Sequence, residues 1–548
     1  MSRFVKAVRV GAMCAAMLLA LTPAAMAQLT NAGGTWLSAG GNAQLTGQQP
    51  EEAFLNASTV SQIKQLWKMT LRGAYGAAPT EPLVIGKPLL ESGFKNEALV
   101  LAPGNNVYAV DFALGQPMWH RQFDVYQAGP AACPNGQMTA ITVTPARVFS
   151  FGRRGARSGR GARGAAGRGA PGRGARGAPP APGRGAPPQL SFGGGGGGFF
   201  GLNTFYVILP TGMVQEVRAS NGTDFGNPVR LVNFRNSALG GSVIANDKLY
   251  VTVTGDCGGQ MQPDGTWQFE PNSVYSLGAE GGKYPVTAYA ANANLSAAAV
   301  STDGQTLYVV SGAGKGAHAN SVLALNAGAL TLKDYYTPAA AAAREEIDVA
   351  PTVFADGGHN YVAAYSTDGR LVLLDANALG GADHHTPLAQ SAPLTEGGGR
   401  AWGRLATANV NGTRWILVSV HGRPNPALHL ASNGAAANGA VVAFKVEQNG
   451  GQPALVPAWA SANVVDPSPA VIANSLAFSL ANGSPDTHAR LVALNLTTGA
   501  TVYNSGDQIG DHADNASLAL ANGQLLFVTA DNTLYNFGHT EPHGIHNY

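Results

Sequence analysis

Val107-Tyr108-Ala109-Val110-Asp111-Phe112-Ala113-Leu114-Gly115 reads as an apolar strand that ends at an aspartate and runs into a glycine turn. The pattern returns as Val274-Tyr275-Ser276-Leu277, Val322-Leu323-Ala324-Leu325-Asn326 and Leu371-Val372-Leu373-Leu374-Asp375. Val441-Val442-Ala443-Phe444, Leu491-Val492-Ala493-Leu494-Asn495 and Leu534-Tyr535-Asn536-Phe537 continue the series. From residue 278 the copies step by 48, 49, 70, 50 and 43 residues. Two further apolar strands precede each copy, so it is the third strand of a repeated unit. An eighth unit falls between residues 138 and 235. Met138 to Val143 and Arg147 to Phe151 supply two of its strands, and the third is either Thr204 to Leu209 or Met213 to Val217.

Eight units of about 59 residues each match four-stranded propeller blades with some long loops. Such a blade cannot bury both faces alone, so its neighbours supply the core. Helix-period segments are scarce, which argues against a helical solenoid. The expected fold class is all-β: an eight-bladed β-propeller of four-stranded antiparallel blades. The composition agrees. Of 548 residues, 45% are apolar, 12% are charged and 72 are glycine, which excludes wholesale disorder and suits strands joined by tight turns.

The formal charge of +2 conceals two opposed parts. Arg3, Lys6 and Arg9 open the chain, and nine arginines lie between Arg153 and Arg184, with no acidic residue in either stretch. The remainder carries 22 basic against 32 acidic residues, a net charge of about −10, so no nucleic-acid partner is expected. The first three cations precede an apolar run from Val10 to Leu21, then Pro23 and Ala25-Met26-Ala27 before Gln28. That is the layout of a secretory signal peptide over residues 1–27. The run is short for a membrane span, and Cys14 lies inside it, which disfavours a lipid anchor. The mature protein is expected to be periplasmic or secreted, with Cys133 and Cys257 joined in a disulfide by the oxidising compartment.

Residues 153–198 repeat Arg-Gly-Ala and Gly-Arg-Gly, include Pro179-Pro180 and Pro187-Pro188, and end in six consecutive glycines. No apolar period runs through them, so this insert is expected to be disordered and to interrupt the second blade between its second and third strands. Its charge suits contact with anionic surfaces. The organisation expected is residues 1–27 as signal peptide, 28–79 as lead-in and closure, and 80–548 as propeller.

The segment Tyr108 to Trp119 resembles the docking motif of the PQQ-like, or quinoprotein, β-propeller family, in which a late-blade Trp stacks beneath a Gly turn of the next blade. Asp348-Val349-Ala350-Pro351-Thr352-Val353 and Asp466-Pro467-Ser468-Pro469-Ala470-Val471 resemble its inner-strand openings. Trp36, Gly40-Gly41-Asn42, Asn56 to Val60, Ile63, Leu66 and Trp67 are similar to the stretch before the first blade of quinoprotein dehydrogenases. The resemblance implies inter-blade packing for Trp119 and Trp459, with Tyr289 and Tyr503 as substitutes. It also implies PQQ and calcium as cofactors to be considered.

Candidate polar residues at one mouth of the channel are Glu345, Glu346, Asp348, Arg400, Trp402, Asp466, Asp511, His512 and Asp514. Asp348, Asp466 and Asp514 are candidate catalytic bases. Glu346, Arg400, Trp402 and His512 are candidate cofactor-binding residues, by charge pairing, stacking or a calcium bridge. The chain departs from the family at several points. It has no adjacent cysteine pair and no Cys-x-x-Cys-His haem sequence, and no local match carries over the family's cofactor triad. His384-His385 and His539, His543 and His546 are metal-capable types in Gly- and Pro-rich, surface-like contexts. Two functions remain: a module binding a small ligand or an envelope protein, and a PQQ- and calcium-dependent dehydrogenase acting on an alcohol or sugar.

Overall fold

The computed structural model describes residues 34–73, 81–86, 89–90, 93–123, 141–143, 204–209, 211–232, 239–253, 260–268, 272–278, 285–339, 349–397 and 400–539. Among them there is no α-helix, and the strands gather into eight antiparallel blade sheets. Blade 1 comprises Leu83–Ile85, Glu97–Ala102, Asn106–Asp111 and Pro117–Gln122. Blade 2 comprises Ile141–Val143, Thr204–Ile208, Met213–Arg218 and Val229–Arg230. Blade 3 runs from Leu239–Ala245 to Val286–Ala290, blade 4 from Ala293–Leu295 to Leu332–Tyr336, and blade 5 from Thr352–Asp356 to Ala389–Pro393. Blade 6 opens with Arg400–Ala401 and Ala406–Val410, continues through Thr413–His421 and Ala440–Asn449, and ends in Gln452–Ala460. Blade 7 runs from Val471–Ala473 to Thr501–Asn504. Blade 8 takes three strands from the end of the chain, Ala519–Ala521, Gln524–Val528 and Thr533–Gly538, and its fourth, Lys64–Thr70, from the beginning. That pairing closes the ring by giving blade 8 its outer strand from the other end of the chain.

All seven quoted repeats are third strands. In blade 2 the third strand is Met213–Arg218, and Thr204–Ile208 is the second. The Arg/Gly insert therefore lies between the first and second strands of blade 2, not between its second and third: Ile141–Val143 already pairs with Thr204–Ile208 across it. The expected strand Arg147 to Phe151, the insert itself, and Cys133 and Cys257 lie outside the described residues.

The core sits between blades. Third strands are buried on both faces, as Val107, Tyr108, Ala109 and Val110 are, while fourth strands such as Val286–Ala290 alternate with solvent on the rim. One apolar layer joins Leu99, Val107 and Ala109 of blade 1 to Phe205, Val207 and Val217 of blade 2. Another joins Trp415, Val441 and Ala443 of blade 6 to Ile472, Ala477 and Leu494 of blade 7. Each fully buried Val or Leu in such a layer contributes about 1.5–3 kcal/mol.

The docking motif has a direct geometric meaning. Trp119 donates from Nε1 to the Ala219 carbonyl at 2.6 Å, Trp459 to Leu496 at 2.9 Å and Trp67 to Phe112 at 3.1 Å. Each ring lies on a glycine of the next blade's turn: a Cβ at Gly222, Gly499 or Gly115 would stand 2.7, 2.4 and 2.4 Å from Trp119, Trp459 and Trp67. The rings occupy one register position, opposite Ala109, Ala443 and Asn536, and Tyr503 shares it opposite Ala493. Tyr289 does not substitute for them. It lies opposite Val274, and Thr287 holds the equivalent position opposite Ser276.

Glu97, on the second strand of blade 1, is fully buried, and burial pushes its carboxyl up to about 8. The folded chain thus holds a proton that the unfolded chain releases near the ordinary carboxylate pKa. This contribution to stability is complete below about pH 4.5 and is lost as pH rises through 8, by up to about 1.4 kcal/mol per pH unit. Glu97→Gln is expected to remove that slope and to raise the urea midpoint at pH 8 more than at pH 5. Equal pH slopes in the two proteins would show Glu97 to be charged in the folded state.

Candidate functional site

The innermost strand of a blade has one edge with no partner inside its own sheet. Here the N-terminal segment supplies those partners. Trp36 exchanges backbone hydrogen bonds with Val84 of blade 1. Ala43, Gln44, Thr46 and Gly47 then accept in turn from Val300, Val353, Thr407 and Ile472, the inner strands of blades 4, 5, 6 and 7. Gln49 donates from Nε2 to Leu520 of blade 8 at 3.2 Å, and Glu52 accepts from Gly523 of the same blade at 2.9 Å. The chain's own backbone therefore lines the axis around most of the ring.

A buried polar knot holds this segment. Glu81 accepts from Trp36 Nε1 at 2.5 Å, from Gly40 N at 3.0 Å and from Arg404 Nη1 at 2.5 Å. Trp36, Glu81 and Arg404 are all buried, and Arg404 Nε has no partner among the described residues. Burial raises the Glu81 carboxyl, against the opposing pull of the Arg404 charge and of the Trp36 and Gly40 N–H donors.

Connections from one blade to the next, and from second to third strands, open on one face. There the structure gathers the candidates of blades 6 to 8. Arg400 stands in register opposite His421, the last residue of its blade's second strand. His421 Nδ1 lies 3.2 Å from Asp466 Oδ1. Trp402 meets the His421 ring edge to face, centroids 5.9 Å apart, and is pinned by donating from Nε1 to the Pro467 carbonyl at 3.0 Å. Asn482, just past the second strand of blade 7, donates to the Asp466 carbonyl at 2.7 Å and accepts from the Ala513 N–H through its own carbonyl. His421 Nε2 and Asn482 Oδ1 are buried with no hydrogen-bond partner among the described residues. Burial pulls the His421 pKa down, Arg400 adds to that, and Asp466 and the Pro467 backbone oppose it, so the ring is held neutral more strongly than usual.

His512 pairs with its neighbour Asp511 at 2.8 Å, while Asp514 accepts only a long contact from Asn515 at 3.4 Å among the described residues. Glu345, Glu346 and Asp348 lie outside the described residues. His384 and His385 do not form a metal pair, because Nδ1 of His384 faces Asp334 at 3.0 Å and Nδ1 of His385 faces the Thr337 carbonyl. His539 Nε2 meets Gln62 at 2.7 Å, and His543 and His546 lie outside the described residues. Sequence reasoning missed His421, Glu81 and Arg404. The only local signal was a second arginine, Arg404, two residues past Trp402 in Arg400-Ala401-Trp402-Gly403-Arg404.

Calcium binds through about six to eight hard oxygen ligands, several of them carboxylates. Among the described residues no three His, Cys, Asp or Glu side chains are grouped to hold a metal ion. Asp466 and Asp511 each face a histidine, and the Glu81 carboxylate is committed to Arg404. These described residues therefore do not fit a calcium-anchored quinone.

No protein-family model matches the chain, and no curated protein matches it in sequence. Solved structures do match. The quinohemoprotein alcohol dehydrogenase ADHIIG from Pseudomonas putida HK5 aligns with a TM-score of 0.55 at 12% identity, over 92% of this chain and 80% of that one. A europium-containing methanol dehydrogenase aligns with a TM-score of 0.55 at 10% identity, over 92% of this chain and 98% of that one. The quinohemoprotein alcohol dehydrogenase from Comamonas testosteroni gives 0.53 at 11%, over 92% and 80%. The fold is that of the quinoprotein propellers. At these identities the likeness extends to architecture and leaves the chemistry to the residues themselves.

Proposed function

We propose that the chain is an exported, periplasmic or secreted propeller that binds a ligand or an envelope protein on the loop face of blades 6 to 8. In this reading residues 1–27 are removed on export, residues 28–79 form the lead-in and closure, and residues 80–548 form the propeller. The carrying observation is the state of the face carboxylates: Asp466 and Asp511 are engaged by His421 and His512, so they shape a recognition surface instead of a calcium cradle. The absence of an adjacent cysteine pair points the same way. Among the described residues no helix is long and apolar enough to cross a membrane.

The test is a calorimetric titration of the purified mature protein with pyrroloquinoline quinone, with and without Ca²⁺. The expected result is no heat of binding at protein concentrations well above micromolar. Saturable, Ca²⁺-dependent binding at one site per chain would overturn the reading and make the chain a quinone-dependent dehydrogenase.

A further inference from the structure

At the centre of the loop-face cluster, His421 and Asn482 are fixed through one residue, Asp466. His421 meets the Asp466 carboxylate through Nδ1 and Asn482 meets the Asp466 carbonyl through Nδ2. Asn482 donates its amide N–H, and the carboxylate facing Nδ1 selects the tautomer in which that ring nitrogen carries the proton. What remains on each is an acceptor: the bare Nε2 of a neutral imidazole and the amide Oδ1, both buried and without a partner among the described residues. A buried acceptor left unmet costs about 1–3 kcal/mol. Two such atoms flanking one residue call for an occupant that brings N–H or O–H donors.

The surrounding charge selects between donors. Asp466 is about half exposed, its side chain 52% accessible, and Asp511 and Asp514 continue the acidic run onto blade 8. The cation facing the ring is Arg400, in register opposite His421. We infer that the junction of His421, Asp466 and Asn482 is a binding site for an organic ammonium group, a primary amine or a basic side chain. Such a group brings three N–H donors on one positive centre, enough for both acceptors and a carboxylate. Trp402, pinned through Pro467, holds the imidazole so that Nδ1 stays on Asp466.

This inference rests on the reading of the chain as a binding propeller, and its test does not involve quinone. The probe is 1,4-diaminobutane, titrated calorimetrically into the mature protein, with 1,4-butanediol as the uncharged control. Saturable binding of the diamine at one site is expected, with none of the diol. His421→Gln and Asp466→Asn should each weaken it at least about ten-fold; asparagine tolerates the left-handed backbone that Asp466 adopts, with φ of 45°, so the second variant keeps the loop. Protonation turns Nε2 from an acceptor into a donor, and burial moves that step below the usual histidine range, so affinity should fall on acidification through it in the wild type but not in His421→Gln.

Three results would overturn the inference. One is no saturable heat with the diamine, which leaves the acceptors to ordered water. Another is equal binding of diol and diamine. The last is binding unchanged in both variants but abolished by about 0.5 M salt, which marks general attraction to an acidic surface. Failure here with a silent quinone titration leaves the binding-module reading intact, whereas quinone binding removes that reading itself.

Discussion

Trp459→Ala is expected to cost about 3–5 kcal/mol of folding stability, the range for deleting a fully buried aromatic side chain. Trp459 is 1% exposed, and its ring is the joint between blades 6 and 7. Truncation empties the space above Gly499 and leaves the Leu496 carbonyl without the indole N–H that now meets it at 2.9 Å. Gly499→Val tests the same joint from the other side. Its Cβ would stand 2.4 Å from Trp459 Cε3, and the backbone at φ of 75° disfavours any β-branched residue. Guanidinium unfolding of both variants should show midpoints well below wild type. Trp119→Ala should cost less, since Trp119 is only partly buried. A loss under about 1 kcal/mol for Trp459→Ala would mean that the blades are held by their other apolar contacts and that the indole is incidental.

Arg404→Met is the second large effect. Removing one partner of a buried ion pair costs about 3–5 kcal/mol, because the remaining charge is left uncompensated. Here that charge is Glu81, which would keep only the N–H groups of Trp36 and Gly40. The consequence should be regional. Backbone amides of Val353, Thr407 and Ile472, which donate to the N-terminal segment, should lose hydrogen-exchange protection before the third strands do. The double variant Glu81→Gln/Arg404→Met should recover most of the loss, since a neutral amide costs far less to bury than a carboxylate. A small loss in the single variant would show that burial has already left Glu81 protonated, so that Arg404 faces a neutral acid.

The docking turns and the repeats were legible because their signals are local. A buried strand needs consecutive apolar residues, and a close-packed indole needs a glycine opposite, wherever the blade lies in the ring. Tyr503 was readable on the same ground and Tyr289 was not, because a shift of two positions along a strand escapes a pattern that contains only the aromatic residue. In blade 2, strands Thr204–Ile208 and Met213–Arg218 are alike in composition, and only their pairing with Ile141–Val143 and Val229–Arg230 ranks them.

The candidate site divides along the same line. Arg400, Trp402, Asp466 and His512 could be picked out as polar residues beside inner strands, and the structure puts them on one face. His421 gave no such signal, for it ends a second strand and meets Asp466 from 45 residues away only because blades 6 and 7 are neighbours. Glu81 and Arg404 lie farther apart still, at the start of blade 1 and in blade 6, and the axis brings them together. Residue order alone thus set the number of blades and seven of their eight third strands, since each of these signals is a local run of residues. Which charges meet, which acceptors stay unmet and what occupies the axis were decided by the tertiary structure: the packing of blades 6 and 7 brings His421 to Asp466, and the ring that residues 64–70 close on 533–538 brings Glu81 to Arg404.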